Sequence, residues 1–330
     1  MDDVREVLKS YAIDPAYIEQ ITDRLFKVKD KERTYAVKRS QLTRQTVAMW
    51  EHVYHEANDK KIAAVLPVYL TKAGFLYITM RHTVYYLTPW IDEETLASNQ
   101  QIERTYQLLG KLHYKTKQKT DMNTAVSIKQ FKSYQNDVRM YFSRMKAYVE
   151  TYEKNHYMSP FELQVCTQFH KIAMIWNELD DNIERLIVEL TDKTSGHISL
   201  CHGQLIRPHI VHKQNTSHFI NWEKAYIGHA IDDLSRLLNH AALFYSNPKD
   251  QWINQFSIYI QENKLAKYEL LLLMIYLLDP MDYFLLIEQS GDTAMIDRIG
   301  RLEQHYRRLD FAWHMSREIK ASFLTDTPNH

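Results

Sequence analysis

Apolar positions change rhythm several times over the first ninety residues, whereas from about residue 95 onward they keep a helical period almost throughout. Val4, Val7, Leu8 and Tyr11 have helical spacing, and Asp14-Pro15 reads as an N-cap and first-turn proline for a second short helix. Leu25 to Lys29 and Thr34 to Arg39 are alternating or β-branched around the polar Asp30-Lys31-Glu32-Arg33, the pattern of a hairpin. Gln41 to Lys60 reads as a helix, and Val65 to Leu70 and Gly74 to Met80 as two more strands. Tyr85 to Ile91 is expected to leave the sheet, because Pro89 cannot donate to a ladder.

The later helical candidates are Gln101 to Tyr114, Ile128 to Glu153, Pro160 to Leu190, Ala230 to Tyr245, Trp252 to Asn263, Lys264 to Leu278 and Met295 to Phe323. Between them, the short apolar clusters of His197 to Asn221 suggest a small embedded hairpin. Strands gathered early and helices gathered late predict an α+β fold, with a sheet-rich lobe over 1–90 and a larger helical lobe over 91–330.

The chain has 330 residues, enough for two such lobes with a buried core. Its 41 basic and 41 acidic side chains cancel, so no global field points to nucleic acid or a membrane surface. The two cysteines, Cys166 and Cys201, cannot build a disulfide framework and are expected to be packed thiols in a reducing compartment. Acids in Met1-Asp2-Asp3-Val4-Arg5-Glu6 do not suit a signal peptide. Leu270 to Leu278 covers about half of the roughly 18 residues a membrane helix needs, so a buried helix pair ending near Ile287 is expected and no membrane insertion. The sixteen histidines form no zinc spacing, most of the 22 tyrosines are expected to fill the core, and Lys115, Lys117 and Lys119 read as a solvated run.

The chemistry-bearing stretch is Leu200-Cys201-His202-Gly203-Gln204-Leu205-Ile206-Arg207-Pro208-His209-Ile210-Val211, followed by Phe219-Ile220-Asn221-Trp222-Glu223. It resembles the catalytic loop and metal-binding turn of aminoglycoside and choline kinases. The order of further segments strengthens the likeness: Tyr35-Ala36-Val37-Lys38-Arg39, Thr88-Pro89-Trp90-Ile91, Leu108 to His113 and Gly228 to Leu234. The resemblance implies a bilobal protein-kinase-like fold, with Lys38 as the phosphate-contacting lysine, oriented by Glu51 or Glu56, and Asp233 holding the catalytic loop. It also places Gln204 where the family has its proton-accepting Asp, His209 at the metal-binding Asn, Asn221 at the principal metal-binding Asp and Glu223 at the second acid. His202 and Gly203 are expected to shape the loop.

An amide oxygen such as that of Gln204 is too weak a base to take a hydroxyl proton, a loss worth about a hundred- to ten-thousand-fold in rate. Magnesium prefers anionic oxygens, which neither His209 nor Asn221 supplies. The first of the seven glycines is Gly74, so no glycine loop covers phosphates early in the chain. Neither cofactor nor catalytic activity is therefore expected; the alternative is an atypical small-molecule phosphotransferase or nucleotide switch using ATP and magnesium.

Within this superfamily, the Tyr-Ala-Val-Lys strand and Pro-Trp-Ile connector are similar to the CotS-type spore coat proteins of Bacillus-like bacteria, closest to the YsxE branch. That likeness implies synthesis in the mother-cell cytoplasm, a place in the spore coat, and other coat proteins as partners.

Overall fold

The computed structural model describes residues 2–94, 96–213, 216–244, 249–288 and 295–324. In chain order it forms α1 (Asp2–Ser10), β1 (Tyr17–Gln20), β2 (Leu25–Lys29), β3 (Thr34–Ser40), α2 (Val47–Asp59), β4 (Ile78–Met80), β5 (Thr83–Pro89) and α3 (Ser98–Thr116). There follow β6 (Gln118–Asp121), α4 (Thr124–Glu153), α5 (Pro160–Thr191), β7 (Ser195–Cys201), β8 (Ile210–Lys213), β9 (Thr216–Phe219) and β10 (Tyr226–Gly228). The rest is helical: α6 (Ala230–Phe244), α7 (Lys249–Asn254), α8 (Phe256–Glu262), α9 (Lys267–Leu278), α10 (Met281–Glu288) and α11 (Met295–Phe323). These elements divide between two compact units. The first comprises Met1–Lys117, Ser199–Asp233 and Gln261–Asn263, and the second Gln118–Ile198, Leu234–Ile260 and Lys264–His330.

In the first unit, Asp30 makes the expected hairpin. Its Oδ1 accepts the backbone N–H groups of Glu32 and Arg33 at 2.7 and 2.6 Å, closing the turn between β2 and β3. The sheet order is β1-β2-β3-β5-β4, antiparallel throughout. Its buried face carries Val28, Val37 and Leu87, against which α1 packs Val4, Val7 and Leu8. Trp50 of α2 contacts Tyr54 and Tyr86, with ring centroids 4.6 and 4.8 Å away.

Four expectations for this unit need correction. No helix follows Asp14-Pro15: Tyr17–Gln20 pairs with β2, and the ladder outweighs the local cap signal. Helix α2 begins only at Val47, after a threonine turn in which the Thr43 N–H donates to Thr46 Oγ1 at 2.9 Å. Val65 to Leu70 makes a single parallel bridge, Val65 to Phe219, and only Ile78–Met80 of the next segment is a strand. Finally, Tyr85 does not leave the sheet. β5 pairs on both sides, and Pro89 is tolerated because it occupies the last rung, opposite Tyr35.

In the basic run at the end of α3, Lys115 and Lys119 are exposed as expected, while two of the three ammonium groups also reach protein acceptors. Lys115 Nζ donates to the carbonyls of Lys60 and Lys61 at 3.3 and 2.8 Å, and Lys117 Nζ to Asn263 Oδ1 at 3.1 Å.

In the second unit, α5 opens with a capping box. Ser159 Oγ accepts the Glu162 N–H at 3.3 Å, the Glu162 carboxylate accepts the Ser159 N–H at 2.6 Å, and Pro160 follows. Helix α9 is buried on nearly every side, and its C-terminal carbonyls are met by Arg308, which donates to Leu277 O at 2.9 Å and Asp279 O at 2.5 Å. Lys267–Glu288 is the one described stretch long and apolar enough to cross a membrane by composition, and 72% of its most apolar window is buried. Asp279-Pro280 divides it into α9 and α10, the expected buried pair. The expected helix over Trp252 to Asn263 is broken at Gln255 into α7 and α8, and the β6 edge strand had no sequence signal. Tyr245, the expected end of the helix from Ala230, lies outside the described residues, as do Gln214 and Asn215 of the stretch expected to form a hairpin.

Candidate functional site

Every residue of the motif that carries the sequence argument lies in the first unit, on β3, on β7 and the loop after it, on the β8–β9 hairpin and its following turn, and at the start of α6. The last rungs of β7 pair with β10, Cys201 opposite Tyr226, and deliver His202 and Gly203 to a sharp bend. Gly203 has φ +77°, and a Cβ there would lie 1.9 Å from the Lys224 carbonyl oxygen, so both conformation and close approach require glycine.

Asp233, fully buried, fastens this bend. Its Oδ2 accepts the His202 N–H at 2.5 Å and its Oδ1 the Gly203 N–H at 2.9 Å, with His113 Nε2 3.6 Å away. Burial alone would raise the Asp233 pKa. The neighbouring His113, then the charge and backbone N–H of His202, outweigh it and hold the carboxyl below its ordinary value. Cys201 adds a thiol contact to the His229 carbonyl at 3.3 Å. His113, Cys201 and Asp233 thus gather three metal-capable atoms within 4.8 Å, all buried, which sequence spacing could not reveal. Asp233 already accepts two backbone N–H groups and the thiol faces a carbonyl, so these residues hold the loop.

The His202 ring is also built into the bend. Its Nδ1 accepts the Gln204 N–H at 3.3 Å and its Nε2 donates to the Ile220 carbonyl at 2.7 Å. His209 Nδ1 donates to the Gln204 carbonyl at 2.8 Å, and Gln204 itself is exposed. Asn221 adopts a left-handed conformation, φ 68° and ψ 51°, in which Asn is among the better tolerated non-glycine residues. The next residue, Trp222, is buried and donates its indole N–H to the Phe219 carbonyl at 2.8 Å.

Lys38 departs from expectation. Neither Glu51 nor Glu56 orients it; Glu56 instead meets Lys60 at 2.6 Å within α2. The partner of Lys38 is Glu223, with Nζ 3.8 Å from Oε1. The same carboxylate accepts the Tyr86 hydroxyl at 3.2 Å and the Gln41 N–H at 3.4 Å. Both side chains of the pair are mostly buried, 19% and 13% exposed. Burial pushes the Lys38 pKa down, the charge of Glu223 pulls it back up, and Arg24 lowers it further. Tyr86 and Gln41 were not readable as site residues in advance. Tyr86 faces the site because it sits opposite Lys38 in the β3–β5 register, a fact of strand pairing rather than of motif.

The first unit thus gathers a lysine on the third strand, a glycine bend clamped by an aspartate at a helix start, and a left-handed turn followed by an acid. A model of the phosphotransferase enzyme family matches residues 18–271. The chain belongs to that family. Its α+β kinase-like fold agrees with the sequence expectation, an N-terminal antiparallel sheet followed by a mostly helical remainder. An aminoglycoside phosphotransferase from Alicyclobacillus acidocaldarius is similar over 96% of both chains, at 14% identity and TM-score 0.71. The AMP-bound spectinomycin phosphotransferase APH(9)-Ia is similar over 94% of this chain and 98% of its own, at 13% identity and TM-score 0.56. Amicoumacin kinase hAmiN, in complex with AMP-PNP, Ca2+ and Ami, is similar over 95% and 93%, at 14% identity and TM-score 0.54. No curated protein matches the sequence.

Within this phosphotransferase family member, the donors at the described motif positions are one ion-paired carboxylate, Glu223, the amide of Asn221 and the imidazole of His209. That set does not fit magnesium, which seeks several hard and usually anionic oxygens in tight octahedral geometry.

Proposed function

We propose that this chain retains the phosphotransferase fold without phosphoryl transfer, and that it acts as a binding and assembly protein of the spore coat, made in the mother-cell cytoplasm and joined to other coat proteins. The observation that carries the silent-site half is the Lys38–Glu223 contact. The cation placed for phosphate and the acid placed for metal neutralise one another, with Tyr86 and Gln41 completing the carboxylate's hydrogen bonds. Phosphoryl transfer depends on positioning and on metal-borne neutralisation of charge. Gln204 at the base position and Asn221 and His209 at the metal positions add nothing that replaces those functions. The coat half rests on the likeness of the Tyr35-to-Lys38 strand and the Pro89-Trp90-Ile91 connector to CotS-type proteins.

Purified chain mixed with ATP, magnesium and a panel of hydroxyl and amino acceptors is expected to give no transfer. Sustained turnover that disappears in Lys38→Met overturns this reading. A fluorescent fusion in sporulating cells is expected to collect at the forespore surface; one that stays diffuse through the mother cell overturns the coat assignment.

A second reading, an atypical phosphotransferase or nucleotide-responsive switch, draws on the intact Asp233 clamp and on the nucleotides held by the similar structures. A thermal-shift titration separates the two readings, because a ligand bound only to the native state raises its stability. Stabilisation by ATP or ADP that grows with magnesium or manganese favours the second reading, and a flat response favours the first.

A further inference from the structure

A second concave site lies in the first unit, apart from the residues just described. It is a cavity of about 690 Å³ lined by the C-terminal half of α2, the segment from Lys61 to Leu76, and His218 of β9. Its volume falls within the range of small-molecule pockets. None of Lys38, Gln204, His209, Asn221 or Glu223 lines it.

Its walls are mainly apolar, from Ile62, Val65, Pro67, Val68, Leu70 and Leu76. Leu70 remains 57% exposed although it lines a concavity, so apolar surface here is left without a covering group. The polar side chains among the described lining residues are Tyr54, His55, Asn58, Lys61 and His218. His218 Nδ1 donates to the Ala63 carbonyl at 2.8 Å, which leaves Nε2 as an acceptor; burial lowers the pKa of this imidazole, the Ala63 bond partly offsetting it. Lys61 is exposed at φ 50°, and among the described residues its ammonium has neither a hydrogen bond nor an ion pair. Among the described residues, no carboxylate lines the cavity. Among the described residues, an apolar wall that carries the Lys61 ammonium and no acid suits a ligand with an apolar body and a single negative head.

We propose that this cavity binds a small apolar monoanion, its body against Val65, Val68 and Leu76 and its charge toward Lys61. The assignment is independent of whether the Lys38 site transfers phosphate.

The test is a fluorescence titration of the full chain with 8-anilinonaphthalene-1-sulfonate, an apolar sulfonate, in parallel with N-phenyl-1-naphthylamine, which keeps the aromatic body without the charge. One equivalent of the sulfonate is expected to bind, and excess ATP is expected to leave it in place. Val68→Trp fills the cavity and is expected to weaken both probes about tenfold or more. Lys61→Glu is expected to weaken the sulfonate about fivefold or more and to leave the amine within about twofold. Circular dichroism checks that each variant folds; should Val68→Trp not fold, the exposed Lys61→Glu decides by itself. Several equivalents of bound probe, displacement by ATP, wild-type binding in folded Val68→Trp, or an equal response of the two probes to Lys61→Glu would overturn the assignment.

Discussion

Replacing Asp233 by Asn changes one atom in a fully buried group and removes the charge that fastens the His202-Gly203 bend. In the native chain both carboxylate oxygens accept backbone N–H groups, at 2.5 and 2.9 Å. Asparagine keeps one acceptor and turns an NH2 toward the other donor. The loss is one charge-assisted hydrogen bond, about 1.5–3 kcal/mol, together with a buried N–H left facing another donor, so about 3 kcal/mol in all. Asp233→Ala strands both amides and is expected to cost about 4–6 kcal/mol. Because the chain forms two compact units, a global melt does not single out this bend. Hydrogen exchange read by mass spectrometry on peptides covering residues 199–233 isolates the effect. The expected result is a rise in local exchange of about a hundredfold for Asp233→Asn, the equivalent of 3 kcal/mol. Exchange in this segment within about twofold of wild type would refute the clamp.

Further outcomes follow from the same geometry. Gly203→Ala is expected to destabilise the first unit by about 3–5 kcal/mol, because it combines a positive φ with a clash against the Lys224 carbonyl; a thermal melt unchanged within 1 °C would contradict this. Glu223→Gln leaves the mostly buried Lys38 charge without its counter-charge and is expected to cost about 1–3 kcal/mol, whereas Lys38→Met leaves Glu223 its Tyr86 and Gln41 donors and stays within about 1 kcal/mol of wild type. Urea titrations read this asymmetry, and equal losses would sink it. Fully buried His212 has its pKa lowered to about 4 by burial, then by Arg207, with Glu93 opposing and Arg104 adding. The unfolded chain therefore takes the proton first, and stability falls on the order of 3 kcal/mol as the pH drops from the ordinary imidazole value to about 4, with no further loss below it. His212→Asn is expected to flatten that part of the profile in pH-dependent melts.

Local sequence chemistry was legible wherever a short-range pattern decides the outcome. The Asp30 turn, the Ser159-Pro160 helix start and the Asp279-Pro280 break can each be read from neighbouring residues, and the structure has all three. The readings that changed were those in which distant pairing wins. Tyr17 becomes a strand because β2 offers a ladder, and Pro89 stays in the sheet because the ladder ends there. Within the site, the positions Lys38, Gly203, Asn221, Glu223 and Asp233 were indicated by the resemblance to aminoglycoside and choline kinases. The partners Tyr86, Gln41 and His113 were not, since each reaches the site through strand register or tertiary contact. The choice of Glu223 over a helix carboxylate for Lys38 is of the same kind, because Glu56 is already engaged by Lys60 four residues along its own helix.

The central claim is that the phosphotransferase-type site no longer gathers a divalent ion around a nucleotide. Calorimetric titration of the full chain with ATP, once in excess chelator and once in excess magnesium, tests it most directly. The expected result is that magnesium brings no gain in affinity, whether ATP binds weakly or not at all. Tightening by tenfold or more on adding magnesium, abolished by Glu223→Gln, would contradict the account.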